Sequence, residues 1–155
     1  MSKQTRIMVF GTFDGLHPGH LDFFKQARKL AGKTLQPFLI VSIARDKNVK
    51  RIKGELPLLD EKKRMALVKN SHLIDKVVLS GLRNHIPHIL KENPDIIALG
   101  YDQRDYIQNL KKDLRNVKIT RLKSYKEKIY KNRLLKNQVS QKRAAPILFH
   151  PETWR

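Results

Sequence analysis

His17 and His20 stand three residues apart in the segment Gly11-Thr12-Phe13-Asp14-Gly15-Leu16-His17-Pro18-Gly19-His20. Imidazoles at that spacing can ligate a metal if a third donor joins them, or donate hydrogen bonds to a phosphate. The chain has no cysteine, and no well-placed third ligand accompanies the pair, so phosphate is the better fit. Gly19 lets a ligand approach the backbone closely. A helix opening at His20 would add free N–H groups and a partial positive charge. Such a loop can stabilise charge that builds during phosphoryl transfer, with no protein nucleophile. A plain turn between strand and helix would use the same residue types.

The elements around this loop follow from hydrophobic patterning. Residues 6–10 form a short apolar run ending at Gly11, as in a buried strand. The segment 20–31 repeats Phe23, Phe24, Ala27, Leu30 and Ala31 at helical spacing and ends at Gly32. Residues 38–43 read as a strand buried on both faces. A basic loop is predicted over 45–58, then a helix from an Asp60 cap to about Asn70 with Met65 and Val68 inward. Strands follow at 77–79, 96–99 and 117–122, with helices at 86–91, 105–114 and a basic one to Gln138. The pattern is that of an α/β, Rossmann-like three-layer fold with a mostly parallel five-stranded sheet. Residues 1–138 form the expected domain and 139–155 a basic C-terminal tail. Ligands of such folds bind beyond the carboxyl ends of the strands, here after Phe10, Ile43 and Leu99.

Composition narrows the classes further. With 155 residues, 40% of them hydrophobic, one domain can bury a core. No apolar run is long enough to span a bilayer and no leader pattern opens the chain, so a cytoplasmic protein without a membrane partner is expected. The net charge is +19, and 14 of the 33 basic residues but only 3 of the 14 acidic ones lie from Lys111 onward. Such a surface attracts polyanions, whether phosphorylated small molecules or nucleic acid.

Residues 11–20 resemble the Gly-Thr-Phe-Asp and His-x-Gly-His signature of the cytidylyltransferase-like nucleotidyltransferases. Ala44-Arg45-Asp46, Arg51-Ile52-Lys53-Gly54 and the stretch from Pro94 through Gly100-Tyr101-Asp102-Gln103 closely resemble the archaeal-type FAD synthases. Glycerol-3-phosphate cytidylyltransferases are similar more loosely. The resemblance spans about residues 6–122. It implies that His17 and His20 contact the nucleotide phosphates and that Thr12 and Phe13 line the pocket by their backbone, with Pro18 and Gly19 between them. Asp14 would orient the loop or reach Mg²⁺ carried by the triphosphate; an Asx-type brace is the other reading. Lys53 would contact phosphates and Arg64 support their site, although a lysine or helix arginine is often only a solvated charge. Gly100 and Asp102 would read the ribose or base, unless Asp102 simply caps the next helix.

One departure concerns the hydroxyl-rich box that opens the last helix in many relatives. Here the aligned stretch is Tyr125-Lys126-Glu127-Lys128-Ile129-Tyr130-Lys131-Asn132-Arg133, with Tyr125, Lys131 or Arg133 as substitutes on the phosphates. The implied activity is transfer of AMP from ATP to FMN with release of pyrophosphate. A CTP-dependent enzyme acting on glycerol 3-phosphate or a similar phospho-alcohol is the alternative within the class. From another class, Tyr125, Tyr130, Phe149 and Trp154 among basic residues would suit a nucleic-acid-binding module, a reading less favoured than a solvated basic surface. Relatives are often dimers, which makes a homodimer an expectation.

Overall fold

The protein is described by a computed structural model covering residues 4–33, 36–82, 85–101, 103, 114 and 116–123. The helix expected over 105–114 (Leu114 apart), the basic helix beyond it and the tail 139–155 lie outside the described residues, as do Asp102, Tyr125, Lys131 and Arg133. The observed order is β1 (Gln4–Gly11), α1 (Pro18–Lys29), β2 (Gln36–Ile43), α2 (Asp46–Lys53), α3 (Glu61–Lys69), β3 (Lys76–Leu79), α4 (Ile86–Glu92), β4 (Ile96–Leu99) and β5 (Lys118–Arg121).

All five strands run parallel in one sheet ordered β3-β2-β1-β4-β5. Parallel neighbours require crossovers, and the crossovers place helices on both faces. Alternate residues of each strand therefore enter different cores. Ile7, Val9, Leu39 and Val41 meet Phe23, Phe24 and Ala27 of α1 and Val68 of α3. Met8, Phe10, Ile40, Ile97 and Leu99 meet Ile89 of α4 on the other side. Each such side chain contributes about 1.5–3 kcal/mol on burial, which is why the strands read as nearly unbroken apolar runs. This is the α/β, Rossmann-like architecture expected, with a sheet wholly rather than mostly parallel.

Two boundaries differ from expectation for identifiable reasons. The helix α1 opens at Pro18, two residues early, because His17 acts as its N-cap and Pro18 suits the first helical turn. The predicted basic loop over 45–58 is instead helical from Asp46 to Lys53. Asp46 in the first turn and Lys50, Arg51 and Lys53 in the last complement the helix dipole, and Gly54 at φ 84° terminates it. Val49 is the one apolar residue this helix buries, so no apolar stripe announced it. The Asp60 cap of α3 is present, its carboxylate accepting the Lys63 N–H.

Strand β1 lies between β2 and β4, so the chain leaves it toward opposite sides. That reversal opens a crevice at the carboxyl ends of the strands. The loops after β1 and β4 border it.

Candidate active site

The turn leaving β1 is tightly determined. Phe13 adopts φ 54°, uncommon for a residue with a side chain, and its ring folds back over Gly11. A Cβ at Gly11 would stand 2.6 Å from that ring, so only glycine fits. The Phe13 ring then meets His20 edge-on, with centroids 5.2 Å apart, and packs on Phe24. Its backbone stays at the crevice while its side chain joins the core.

His17 and His20 form a reciprocal capping box at the start of α1. The Gly19 N–H donates to His17 Nδ1 at 3.0 Å, and the His17 N–H donates to His20 Nδ1 at 3.4 Å. The usual box uses Ser or Thr with Glu or Gln for the same purpose. A ring nitrogen that accepts an N–H carries no proton, so each neutral imidazole holds its proton on Nε2. The rings stack with centroids 3.8 Å apart, and both are buried. Burial, followed by the neighbouring His17, pushes the His20 pKa well below its ordinary value. His20 is therefore neutral at pH 7, yet still a hydrogen-bond donor through Nε2.

Asp14 braces the turn against a distant segment. Its carboxylate accepts the N–H groups of Leu58 and Leu59 at 2.6 and 2.7 Å. Both oxygens are thus engaged by the backbone just ahead of α3. This geometry is that of a loop brace.

Arg64 is fully buried, which overturns the reading of a surface helix arginine. Its Nε donates to the Leu59 carbonyl at 3.0 Å, Nη1 to the Thr12 carbonyl at 2.8 Å, and Nη2 to Asp46 at 2.6 Å. It touches the loop through Thr12 and clamps together the starts of α2 and α3. Asp46 and Glu61 complete the clamp, each accepting the other's backbone N–H. Any support Arg64 lends to phosphates is exerted through this positioning. Lys53 closes α2, half-buried, immediately before Gly54.

Gly100 follows β4 at the other border of the crevice. Its N–H donates to Gln103 Oε1 at 2.7 Å, and its carbonyl accepts from Arg121 at 2.7 Å. Gln103 reaches across with Nε2 to the Phe10 carbonyl at 3.0 Å, tying the ends of β1 and β4 together. Sequence reasoning assigned no role to Gln103 or Asp46, although both stand inside the quoted motifs. The structure thus brings Thr12, Phe13, Asp14, His17, Pro18, Gly19, His20 and Arg64 into one unit, with Gly100 joined to it through Gln103.

Among the described residues no group of three His, Asp or Glu side chains is placed to hold a metal ion. No described helix is long and apolar enough to cross a membrane.

Neutral imidazole donors at a helix start, on a Rossmann-like sheet, can serve a phosphoryl group by positioning rather than by covalent chemistry. The chain belongs to the cytidylyltransferase-like family, whose model matches residues 8–145. It is similar to the FAD synthase of Korarchaeum cryptofilum, 45% identical over 122 residues, covering 76% of this chain and 80% of that protein. The FAD synthases of Archaeoglobus profundus and Methanosarcina barkeri are 36% and 41% identical, over 79% and 71% of this chain and 77% and 74% of theirs. A crystal structure of a lipopolysaccharide core biosynthesis protein from Thermoplasma volcanium superposes with a TM-score of 0.70 at 34% identity, covering 78% of this chain and 98% of that one. The protein is accordingly a nucleotidyltransferase.

Proposed function

We propose that the protein transfers AMP from ATP to FMN, giving FAD and pyrophosphate. The observation that carries this reading is the 36–45% identity to three FAD synthases over at least 71% of the chain. An FMN phosphate oxygen attacks the α-phosphorus of ATP. The new P–O–P link forms as the bond to the β-phosphate breaks, and pyrophosphate leaves with the electron pair. The nucleophile is already an anion, so no general base is needed. Nε2–H of His17 and of His20 donate to phosphoryl oxygens as charge moves onto them, and Lys53 adds a cation to the leaving group.

Thr12, Phe13, Pro18 and Gly19 offer backbone to the nucleotide, while Asp14 and Arg64 hold that backbone in place. Gly100 and Asp102 are assigned to reading the ribose or base, and Tyr125 to the part that the hydroxyl box plays in relatives. Mg²⁺ arrives with the triphosphate as part of the substrate and offsets its charge. The engagement of Asp14 by two N–H groups and of Asp46 by Arg64 fits a metal held by the nucleotide rather than by a protein cage. In this reading residues 1–138 are the catalytic domain, 139–155 a basic tail, and the protein works in the cytoplasm.

The test is Mg²⁺-dependent pyrophosphate release with ATP or CTP crossed against FMN and glycerol 3-phosphate. Turnover with ATP and FMN is expected, and FAD should be recovered. Turnover only with CTP and a phospho-alcohol would refute the FMN assignment while keeping the reaction class.

A further inference from the structure

A second pair of histidines, His85 and His88, repeats the three-residue spacing of the first. The two pairs lie toward opposite faces at the carboxyl end of the central strand β1. His20 packs on Phe13, whereas the His85 ring approaches Phe10 edge-on with centroids 6.5 Å apart. Three residues of chain span at most about 10 Å, so the pairs bracket the end of β1 from either side.

Strand β2 contributes Ser42 on the α4 face. It stands between Val78 and Phe10 in register, in a row otherwise apolar, and is almost wholly buried. Its hydroxyl lies 2.8 Å from His88 Nε2, so the polar position fixes the ring. The short helix α2 is tied to the same end of the sheet. Asn48 donates to the Gly81 carbonyl at 2.9 Å and Arg45 Nε donates to the Ser80 carbonyl at 2.8 Å. Arg51 rides on α2 one to two turns further on.

The electrostatics of this corner are mixed, with basic groups in the majority. Burial lowers the pKa of His85, with Arg51 adding to the effect. Burial also lowers that of His88, opposed by Glu92 and reinforced by His85, Arg45 and Lys91. The opposing carboxylate, Glu92, is bound to Lys76 at 2.6 Å with Arg6 3.9 Å away. Glu61 stands 3.8 Å from Arg45. Arg45 and Arg51 bring positive charge to this corner, which favours an anion there. The His17–His20 unit already accounts for one anion in the crevice, the triphosphate. Transfer needs a second phosphate, that of the acceptor.

We propose that Arg45, Arg51, His85 and His88 form the subsite that receives the acceptor's phosphate, across the end of β1 from the nucleotide. The assignment rests on the nucleotidyl-transfer reading above, but not on FMN in particular, since any phosphomonoester acceptor presents the same dianion. His88, neutral in the empty site, takes up a proton as the dianion docks. Ser42 positions the ring throughout.

The experiment uses the full chain with the variants His88→Gln and Arg51→Ala; Arg51 is exposed, so its removal spares the core. The KM for the acceptor is expected to rise at least ~10-fold in each, as befits loss of a charge-assisted contact to phosphate. The KM for the nucleotide should change less than about twofold in the same assays. Calorimetric titration of FMN without ATP, in buffers of different ionisation enthalpy near pH 6.5, should show proton uptake that His88→Gln abolishes. An unchanged acceptor KM in folded variants, or a rise confined to the nucleotide, overturns the subsite. If the wild type turns over no acceptor, the transfer reading falls. The same titration with FMN and glycerol 3-phosphate then decides the subsite alone, and binding to neither, or binding unaffected by the variants, refutes it.

Discussion

Replacing Arg64 by alanine should cost both stability and turnover, in amounts the geometry bounds. The guanidinium donates to Asp46, Thr12 and Leu59, at 2.6, 2.8 and 3.0 Å, with no exposed surface. Removing one partner of a buried pair costs about 3–5 kcal/mol when the orphaned charge stays buried. The Asp46 side chain is 26% exposed, so water can rehydrate its carboxylate, and the lower end, about 3 kcal/mol, applies. A domain of this size has about 5–15 kcal/mol in total, so the urea midpoint of the far-UV circular dichroism transition should fall clearly. Arg64→Lys keeps a charge for Asp46 but loses the fork that spans three acceptors, and should fall between wild type and alanine. At a temperature where each variant is folded, kcat should also drop, because the Thr12 carbonyl no longer has its anchor. A midpoint shift worth less than about 1 kcal/mol, below the range for a broken buried pair, would refute the clamp. Lost stability with unaltered kinetics would refute its role in positioning the loop.

Removing the histidine donors singly, His17→Ala or His20→Ala, should lower kcat by about 10²–10³-fold, as loss of a transition-state donor does elsewhere. His17→Asn should restore the helix cap but not the rate, which separates capping from chemistry in a comparison of melting and turnover. Gly11→Ala should destabilise by about 1–3 kcal/mol through collision with the Phe13 ring; urea titration would expose an error if the variant matched wild type. His20 titrates well below its ordinary value when folded, whereas the unfolded chain takes the proton near pH 6.5. Stability is therefore full at neutral pH and falls as pH drops below about 6.5, by up to about 1.4 kcal/mol per pH unit from His20 until its folded pKa is reached. His85 and His88 act in the same direction. Urea midpoints at pH 7.5, 6.5 and 5.5 read this directly, and a flat profile would contradict it.

The sheet was legible because strands buried on both faces have little choice but continuous apolar residues, as Val9 and Ile40 illustrate. The loop was legible because glycine, aspartate and paired histidines rarely coincide without a backbone or a phosphate to serve. Helix α2 was not, since tertiary ties at Asp46, Asn48 and Val49 hold it where its own sequence shows mostly charge. The burial of Arg64 was hidden for a related reason. Helical periodicity marked Met65 and Val68 as inward, and nothing local reveals that a distant carbonyl and carboxylate await the guanidinium. The tautomers of His17 and His20 lie beyond composition altogether, although the capping-box spacing was a usable signal. His85 and His88 carried the same spacing a second time, and repetition of a motif at two strand ends was the clue available.

The bond from Gln103 to the Phe10 carbonyl also bears on how the molecule assembles. It joins residues 93 positions apart, and the Arg6 N–H likewise waits for Asp95, 89 positions later. Long-range closures of this kind come late in folding, because the loop entropy must be met before the contact rewards it. A nascent chain of about 90 residues already contains His17, His20, His85 and His88, but β1 still lacks the neighbour that completes the crevice. Competence to hold a nucleotide should thus arrive with β4 and the turn after it, making ligand binding a reporter of the docking of β4 rather than of the histidines' synthesis.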